Sequence, residues 1–122
     1  MIKQDVFDKA IAAHAGWKAR LRTTVSAGKS DVPASTVKAD NQCDFGKWLN
    51  GMDLSAAEKQ TDTYREVKQL HATFHQQAGR VVELATSGRK AEAEKAIGIG
   101  GSDSQASSAL TEAMIRWRST NK

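Results

Sequence analysis

The chain has 122 residues, of which 39% are hydrophobic, and carries a formal net charge of +4 with a pI of about 9.4. This length suits one domain with a modest core. The basic residues are interspersed with acidic ones, which favours a solvated helical surface over a patch for nucleic acid or an anionic membrane. A single cysteine excludes an internal disulfide, and no apolar run approaches the roughly 18 residues of a membrane-spanning helix.

The first five residues lack the apolar segment of a signal peptide. We therefore expect a cytoplasmic protein, in which a lone thiol stays reduced.

The first predicted helix runs from about residue 2 or 5 to about residue 26, and Gly28 is its expected C-terminal stop. Its apolar residues recur at steps of three and four, which predicts one buried stripe. His14 borders this stripe and is expected to point inward. The apolar stripe of this first helix consists of Val6, Ala10, Ala13, Trp17, Leu21 and Val25.

Residues 27–40 are predicted to be a connection without regular structure, because they hold Gly28 and Pro33 among polar residues.

A short second helix is predicted from about residue 42 to residue 50, capped by Asp40 or Asn41. Cys43 would lie in its first turn, where free amides and the helix dipole favour a thiolate. Gly46 would allow a neighbouring backbone to approach closely. The expected buried face is Phe45, Trp48 and Leu49.

The third predicted helix opens with a capping box, Ser55 and Glu58, and runs to about residue 87 before Gly88. Its apolar seam keeps a heptad rhythm, with His71 on the seam and His75 beside it. A helix over residues 89–97 and a final helix from residue 102 or 103 follow, separated by a glycine-rich break. The seam is Tyr64, Val67, His71, Phe74, Ala78, Val81 and Ala85, and the last helix would bury Ala106, Leu110, Ala113, Met114 and Trp117.

No stretch alternates with a period of two, so no strand is predicted. The sequence thus predicts an all-α, antiparallel, four-helix-bundle-like domain with a short extra helix that carries the cysteine.

The chain's three histidines and one cysteine supply one complete tetrahedral zinc shell. His71 and His75 are four residues apart, so they share one helix face. Singly, each histidine is more often a hydrogen-bonded core residue, and a lone cysteine is usually a small buried hydrophobe. Three histidines on buried stripes have a common explanation in a metal ion bound by His14, Cys43, His71 and His75. Zinc suits these ligands better than magnesium or calcium, although copper and iron also accept them.

An enzyme is not expected, because four protein ligands close the shell and the sequence holds no HExxH, Glu-x-x-His or nucleophile-elbow motif. The aromatic residues near the ligands are expected to pack around the site and to keep water from it. They are Trp17, Phe45, Trp48 and Phe74.

Three elements together resemble the chemoreceptor zinc-binding domain family: His14-x-x-Trp17, then Cys43-x-Phe45-Gly46-x-Trp48-Leu49, then His71-x-x-x-His75. The resemblance covers essentially the whole chain, residues 1–122, as one domain. It implies a helical bundle that binds Zn²⁺ through His14, Cys43, His71 and His75.

The resemblance also implies a bacterial regulatory domain, often a homodimer, that controls a chemoreceptor signalling region or a diguanylate cyclase, in cis or in trans. The expected signal is zinc itself, or hypochlorous acid that oxidises Cys43; loss of that ligand would free the short second helix. The alternatives are a purely structural zinc module and a nucleic-acid-binding surface, which the scattered charges disfavour.

Overall fold

A computed structural model describes residues 4–30, 33–39, 44–51 and 54–120. Within these ranges the regular structure is entirely helical, which confirms the predicted all-α bundle. No helix in this part of the chain is both long enough and apolar enough to cross a bilayer. The α-helices are α1 (Gln4–Ala27), α2 (Ala34–Lys38), α3 (Asp44–Asn50), α4 (Asp62–Thr86), α5 (Lys90–Ile97) and α6 (Ser102–Thr120).

Helix α1 ends at Ala27, one residue beyond its predicted end, and is followed by Gly28, whose φ of +68° is a left-handed conformation that favours glycine. His14 is buried, as predicted. The predicted stripe is wrong at Ala13, which is exposed, and it omitted Phe7, which is only 1% exposed. The buried face of α1 is therefore rotated slightly toward the side that carries Phe7 and His14.

The segment predicted as an irregular connection contains α2, which corrects the sequence-based prediction. Pro33 precedes this helix, and its carbonyl accepts hydrogen bonds from the amides of Thr36 and Val37. Val37 is only 1% exposed, and α2 packs on α4. Five residues are too few to show a helical period in the sequence, and such a short helix depends on tertiary packing.

Gly79 in α4 is explained by this packing. A Cβ atom at position 79 would collide with the Lys38 side chain and would lie 3.2 Å from the carbonyl oxygen of Ala34. The glycine thus allows α2 to approach α4 closely, at the cost of some intrinsic helix propensity.

Helix α3 is held in place by apolar packing and by a hydrogen bond at its C-terminal end. Phe45 and Leu49 are buried, as predicted, and Trp48 is half-buried. At its C-terminal end the Tyr64 hydroxyl donates a 2.8 Å hydrogen bond to the Leu49 carbonyl. The predicted start at residue 42 and the predicted caps, Asp40 and Asn41, lie outside the described residues.

The reciprocal hydrogen bonds of the predicted capping box, between Ser55 and Glu58, are present, but they lead into a separate 3-10 turn, Glu58–Gln60, and not into α4. Helix α4 begins after Thr61, whose hydroxyl accepts a hydrogen bond from the Tyr64 amide. The long helix is therefore shorter at its N-terminus than predicted. Every residue of its predicted seam is buried, and it packs against α1, α2, α5 and α6.

Helix α6 buries all five residues predicted for it, together with two polar residues that the apolar pattern omits, Asp103 and Ser107. Asp103 is 4% exposed, and its Oδ1 atom has no hydrogen-bond partner in the described part of the chain. Burial raises the pKa of Asp103 to about 6, although the charge of Lys18 opposes the shift.

Candidate metal centre

The centre of the bundle contains a pair of histidine side chains from consecutive turns of α4. The Nε2 atoms of His71 and His75 lie 3.1 Å apart, and their rings meet edge to face. Both side chains are buried, with exposures of 3% and 1%. The four-residue spacing in the sequence therefore brings two imidazole nitrogens to one point inside the core.

Helix α2 fixes the orientation of His75. The Nδ1–H group of His75 donates a 2.8 Å hydrogen bond to the Val37 carbonyl, which can only accept. In the neutral ring, Nε2 then carries the lone pair and accepts from the Nε2–H group of His71. A backbone carbonyl on the outer nitrogen is the arrangement usually found for a metal-ligating histidine.

His14 reaches the same layer from α1. Its ring contacts Phe74 edge to face at 4.4 Å, and its Nε2 atom is 2.9 Å from the Ser107 hydroxyl. The structure thus places His14 against Phe74, with a hydrogen bond to α6.

The buried imidazoles of His14 and His71 are held in the neutral form. Burial lowers the pKa of His14 to about 4; a hydrogen bond to the Ser107 backbone opposes this shift, and the charges of Lys18 and His75 add to it. Burial also lowers the pKa of His71 to about 3, and the charges of His75 and His14 add to the shift. Neutral imidazole is the form that binds metal ions, so these rings need not lose a bound proton at neutral pH.

Aromatic rings surround the histidines much as the sequence predicts. Trp17 contacts His75 at 5.4 Å between ring centroids, and Phe45 contacts His71 at 5.0 Å. Trp48 stacks on Phe45 at 5.7 Å and so lies one layer farther out. Gly46 is buried on α3. The rings make the surroundings apolar, which strengthens electrostatic interactions and limits access of water.

The four predicted ligands are brought together only in part. Cys43 lies outside the described residues, and it immediately precedes α3. Across the described ranges, no three His, Cys, Asp or Glu side chains are grouped so that they could hold a metal ion. The structure thus pairs His71 with His75 and places His14 against the neighbouring Phe74.

Two residues that support the histidines were not predicted from the sequence. Val37 acts through its carbonyl oxygen, which leaves no mark in a sequence. Ser107 lies three residues before Leu110 and seven before Met114, so its position on the buried stripe of α6 was readable. Its polar side chain is the reason that a search for apolar residues omits it.

The histidine pair fits a zinc ion. With Zn–N distances of about 2.0–2.1 Å, two nitrogens of a tetrahedral site lie about 3.3 Å apart, close to the separation of the two Nε2 atoms. For both nitrogens to bind, His71 would take the other neutral tautomer, with its proton on Nδ1 in place of Nε2. The nitrogen donors favour zinc over magnesium or calcium.

Comparison with known proteins agrees with this chemistry. The sequence model of the chemoreceptor zinc-binding domain family matches residues 14–82, more than half of the chain. No curated protein and no solved structure matched. The match begins at His14, includes all four predicted ligands and ends within α4. The chain therefore belongs to the chemoreceptor zinc-binding domain family.

Proposed function

We propose that this chain binds one zinc ion through His14, Cys43, His71 and His75 and acts as a regulatory domain in signalling. The observation that carries the proposal is the buried pair of Nε2 atoms, 3.1 Å apart, on α4. Membership in a zinc-binding family supports the choice of metal. The whole of residues 1–122 would serve as one such domain.

The ligands come from three separate parts of the chain. His14 belongs to α1, Cys43 directly precedes α3, and His71 and His75 belong to α4. A bound zinc ion would supply a cross-link among these elements, and Cys43 would bind as a thiolate. Because α3 is a short helix, loss of the Cys43 ligand should affect α3 more than the long helices.

Metal analysis tests the site directly. Protein purified without added metal should contain about one zinc per chain, and Cys43→Ala and His71→Ala should each lower that content. Met114→Ala is the matched control, since it truncates a fully buried α6 side chain that is not a ligand. Zinc loss in the control equal to that in the ligand variants would contradict the assignment. Absence of zinc uptake by the wild-type protein would refute it.

The proposed signal is either the zinc concentration or an oxidant such as hypochlorous acid. In the oxidant case, the Cys43 thiolate loses two electrons to hypochlorous acid, gains its oxygen as a sulfenic acid and releases chloride. A sulfenic acid is a poorer ligand than a thiolate. Helix α3 would then be less firmly held, and the surface that the domain offers to a partner would change.

Hydrogen exchange distinguishes these signals. Zinc-loaded protein treated with one equivalent of hypochlorous acid should lose amide protection in α3, and Cys43→Ser should not respond further. An unchanged exchange pattern in the oxidised wild-type protein would leave zinc concentration as the signal. The proposed partners are a chemoreceptor signalling region or a diguanylate cyclase, in cis or in trans, within a homodimer in the cytoplasm. Their support is the family resemblance.

A purely structural role is the second candidate, and the depth of the histidine pair in the core favours it. Structural zinc contributes directly to folding free energy. If chelation unfolds the entire helical bundle, the structural role is favoured; if it releases only α3 and leaves α1, α4 and α6 protected, the regulatory role is favoured.

A further inference from the structure

One histidine contact lies outside the part of the chain that defines the family. The family match ends at residue 82, whereas the hydroxyl group that hydrogen-bonds His14 belongs to Ser107 on α6. The contact joins residues 93 positions apart in the sequence. Helix α6 is therefore linked to the predicted metal centre through a polar side chain as well as through apolar packing.

Because Ser107 is buried, its hydrogen bond to His14 contributes to the stability of the fold. Ser107 is only 1% exposed and lies beside Leu110, which is fully buried. A buried hydroxyl without a partner is destabilising, so the hydrogen bond to His14 compensates for a serine at this position. An alanine would fill nearly the same volume with no such requirement.

Two of the histidines have the same kind of support. His75 uses Nδ1 on the Val37 carbonyl and directs Nε2 toward His71. His14 uses Nε2 on the Ser107 hydroxyl, which leaves Nδ1 as the nitrogen with a lone pair when Nε2 carries the proton. A partner on the outer nitrogen holds the ring orientation of a ligating histidine. The Val37 carbonyl can only accept and so also fixes the tautomer of His75, whereas the Ser107 hydroxyl can donate or accept.

We propose that Ser107 is the positioning residue for His14 and that it makes α6 part of the support of the metal centre. This inference rests on the proposed zinc function. In it, His14 keeps the Ser107 hydrogen bond when it binds the metal through Nδ1. Metal binding then stabilises α6 as well as α1, α3 and α4, and α6 becomes the element through which the metal state reaches structure beyond the matched region.

The test compares zinc affinities, measured by competition with a chromophoric chelator. Ser107→Ala should weaken zinc binding about 10- to 100-fold, the usual effect of removing such a partner. Ser108→Ala is the matched control, because Ser108 is the exposed neighbour on the same helix. Ser107→Thr keeps the hydroxyl and should restore affinity toward the wild-type value.

Hydrogen exchange on the wild-type chain gives a second measurement that requires no variant. Zinc should increase amide protection in the first half of α6, around Ser107, as well as in α4. In Ser107→Ala the increase in α6 should disappear while that in α4 remains.

The outcomes separate the two proposals. Wild-type protein that takes up no zinc refutes both the zinc function and the role of Ser107. Wild-type protein that binds zinc, together with a Ser107→Ala variant of equal or higher affinity, overturns only the positioning role. Higher affinity would show that Ser107 competes with the metal for His14. Zinc binding without added amide protection in α6 also overturns the positioning role of Ser107.

Discussion

The histidines and Asp103 are polar groups buried in the same small core, but their environments differ. His14 and His75 each have a hydrogen-bond partner on another helix, Ser107 and Val37. Asp103, in the first turn of α6, has an oxygen without a partner in the described part of the chain. Buried polar groups normally have partners, so an unpartnered one reduces stability. The bundle thus supports the polar groups of the predicted metal centre and leaves a destabilising one elsewhere.

The two environments predict opposite pH effects on folding. His14 and His71 have lowered folded-state pKa values. Protons therefore bind their unfolded-state imidazoles more readily, and the stability that these two residues contribute falls as pH drops below about 6.5. Asp103 has a folded-state pKa raised to about 6. Protons then bind the folded state more readily, and stability falls as pH rises from about 4 to about 6.

The largest expected effect is acid destabilisation of the metal-free protein. With folded-state pKa values of about 4 for His14 and about 3 for His71, each histidine should contribute on the order of 3 kcal/mol between pH 6.5 and pH 4. Urea unfolding in the presence of a chelator at several pH values measures this loss. His71→Gln should make the pH dependence shallower. An identical dependence in that variant would show that the histidines are not responsible.

Asp103→Asn should have the next largest effect. The variant side chain at position 103 cannot ionise. Its free energy of unfolding relative to wild type should therefore increase by on the order of 2–3 kcal/mol as pH rises from 4 to 8. Asp62→Asn is the matched control, since Asp62 is a fully exposed acid in the first turn of α4. If the free energy of unfolding of both variants changed equally with pH, the effect could not be assigned to the buried Asp103 carboxyl group.

Gly79→Ala tests the support of His75 by α2. Helix propensity alone predicts a gain of up to ~1 kcal/mol, but collision of the new methyl group with Lys38 should instead cost about 1–3 kcal/mol. Gly16→Ala is the control, because a Cβ atom there meets nothing within 4 Å, and it should stabilise α1. Thermal unfolding of both variants measures the difference. Equal stabilisation would mean that α2 does not pack tightly at Gly79.

Tyr64→Phe should have the smallest effect. Tyr64 is a buried polar residue with a backbone partner, like His75, but its partner is the Leu49 carbonyl on α3. Loss of this hydrogen bond should cost about 1 kcal/mol in urea unfolding. Hydrogen exchange should show the loss mainly at the C-terminal end of α3. A uniform loss over all helices would indicate that the hydroxyl does not anchor α3 specifically.

Much of the fold was readable from the sequence, because long helices bury a periodic stripe. The seam of α4 and the buried face of α6 follow directly from apolar spacing. Helix α2 was missed, since five residues carry no period and its stability comes from packing. Ala13 was misassigned because its small side chain suits either face of a helix.

The site was predictable to the extent that residue type reveals chemistry. Histidine and cysteine mark possible metal ligands, and the spacing of His71 and His75 predicted their proximity. The hydrogen bonds of His75 to Val37 and of His14 to Ser107 depend on which helices become neighbours. A carbonyl oxygen and a serine hydroxyl occur everywhere in a sequence, so neither could be selected without the fold.

The placement of His71 and His75 on consecutive turns of α4 has a kinetic consequence. Two ligands on one helix require no long-range encounter of the chain, so the pair can form as soon as α4 is helical. In the proposed site, recruitment of Cys43 or His14 would close a loop of the intervening residues, and the entropic cost rises with loop length. We therefore expect α4 to capture the metal first, Cys43 to join next because its loop is shorter, and His14 to complete the shell last.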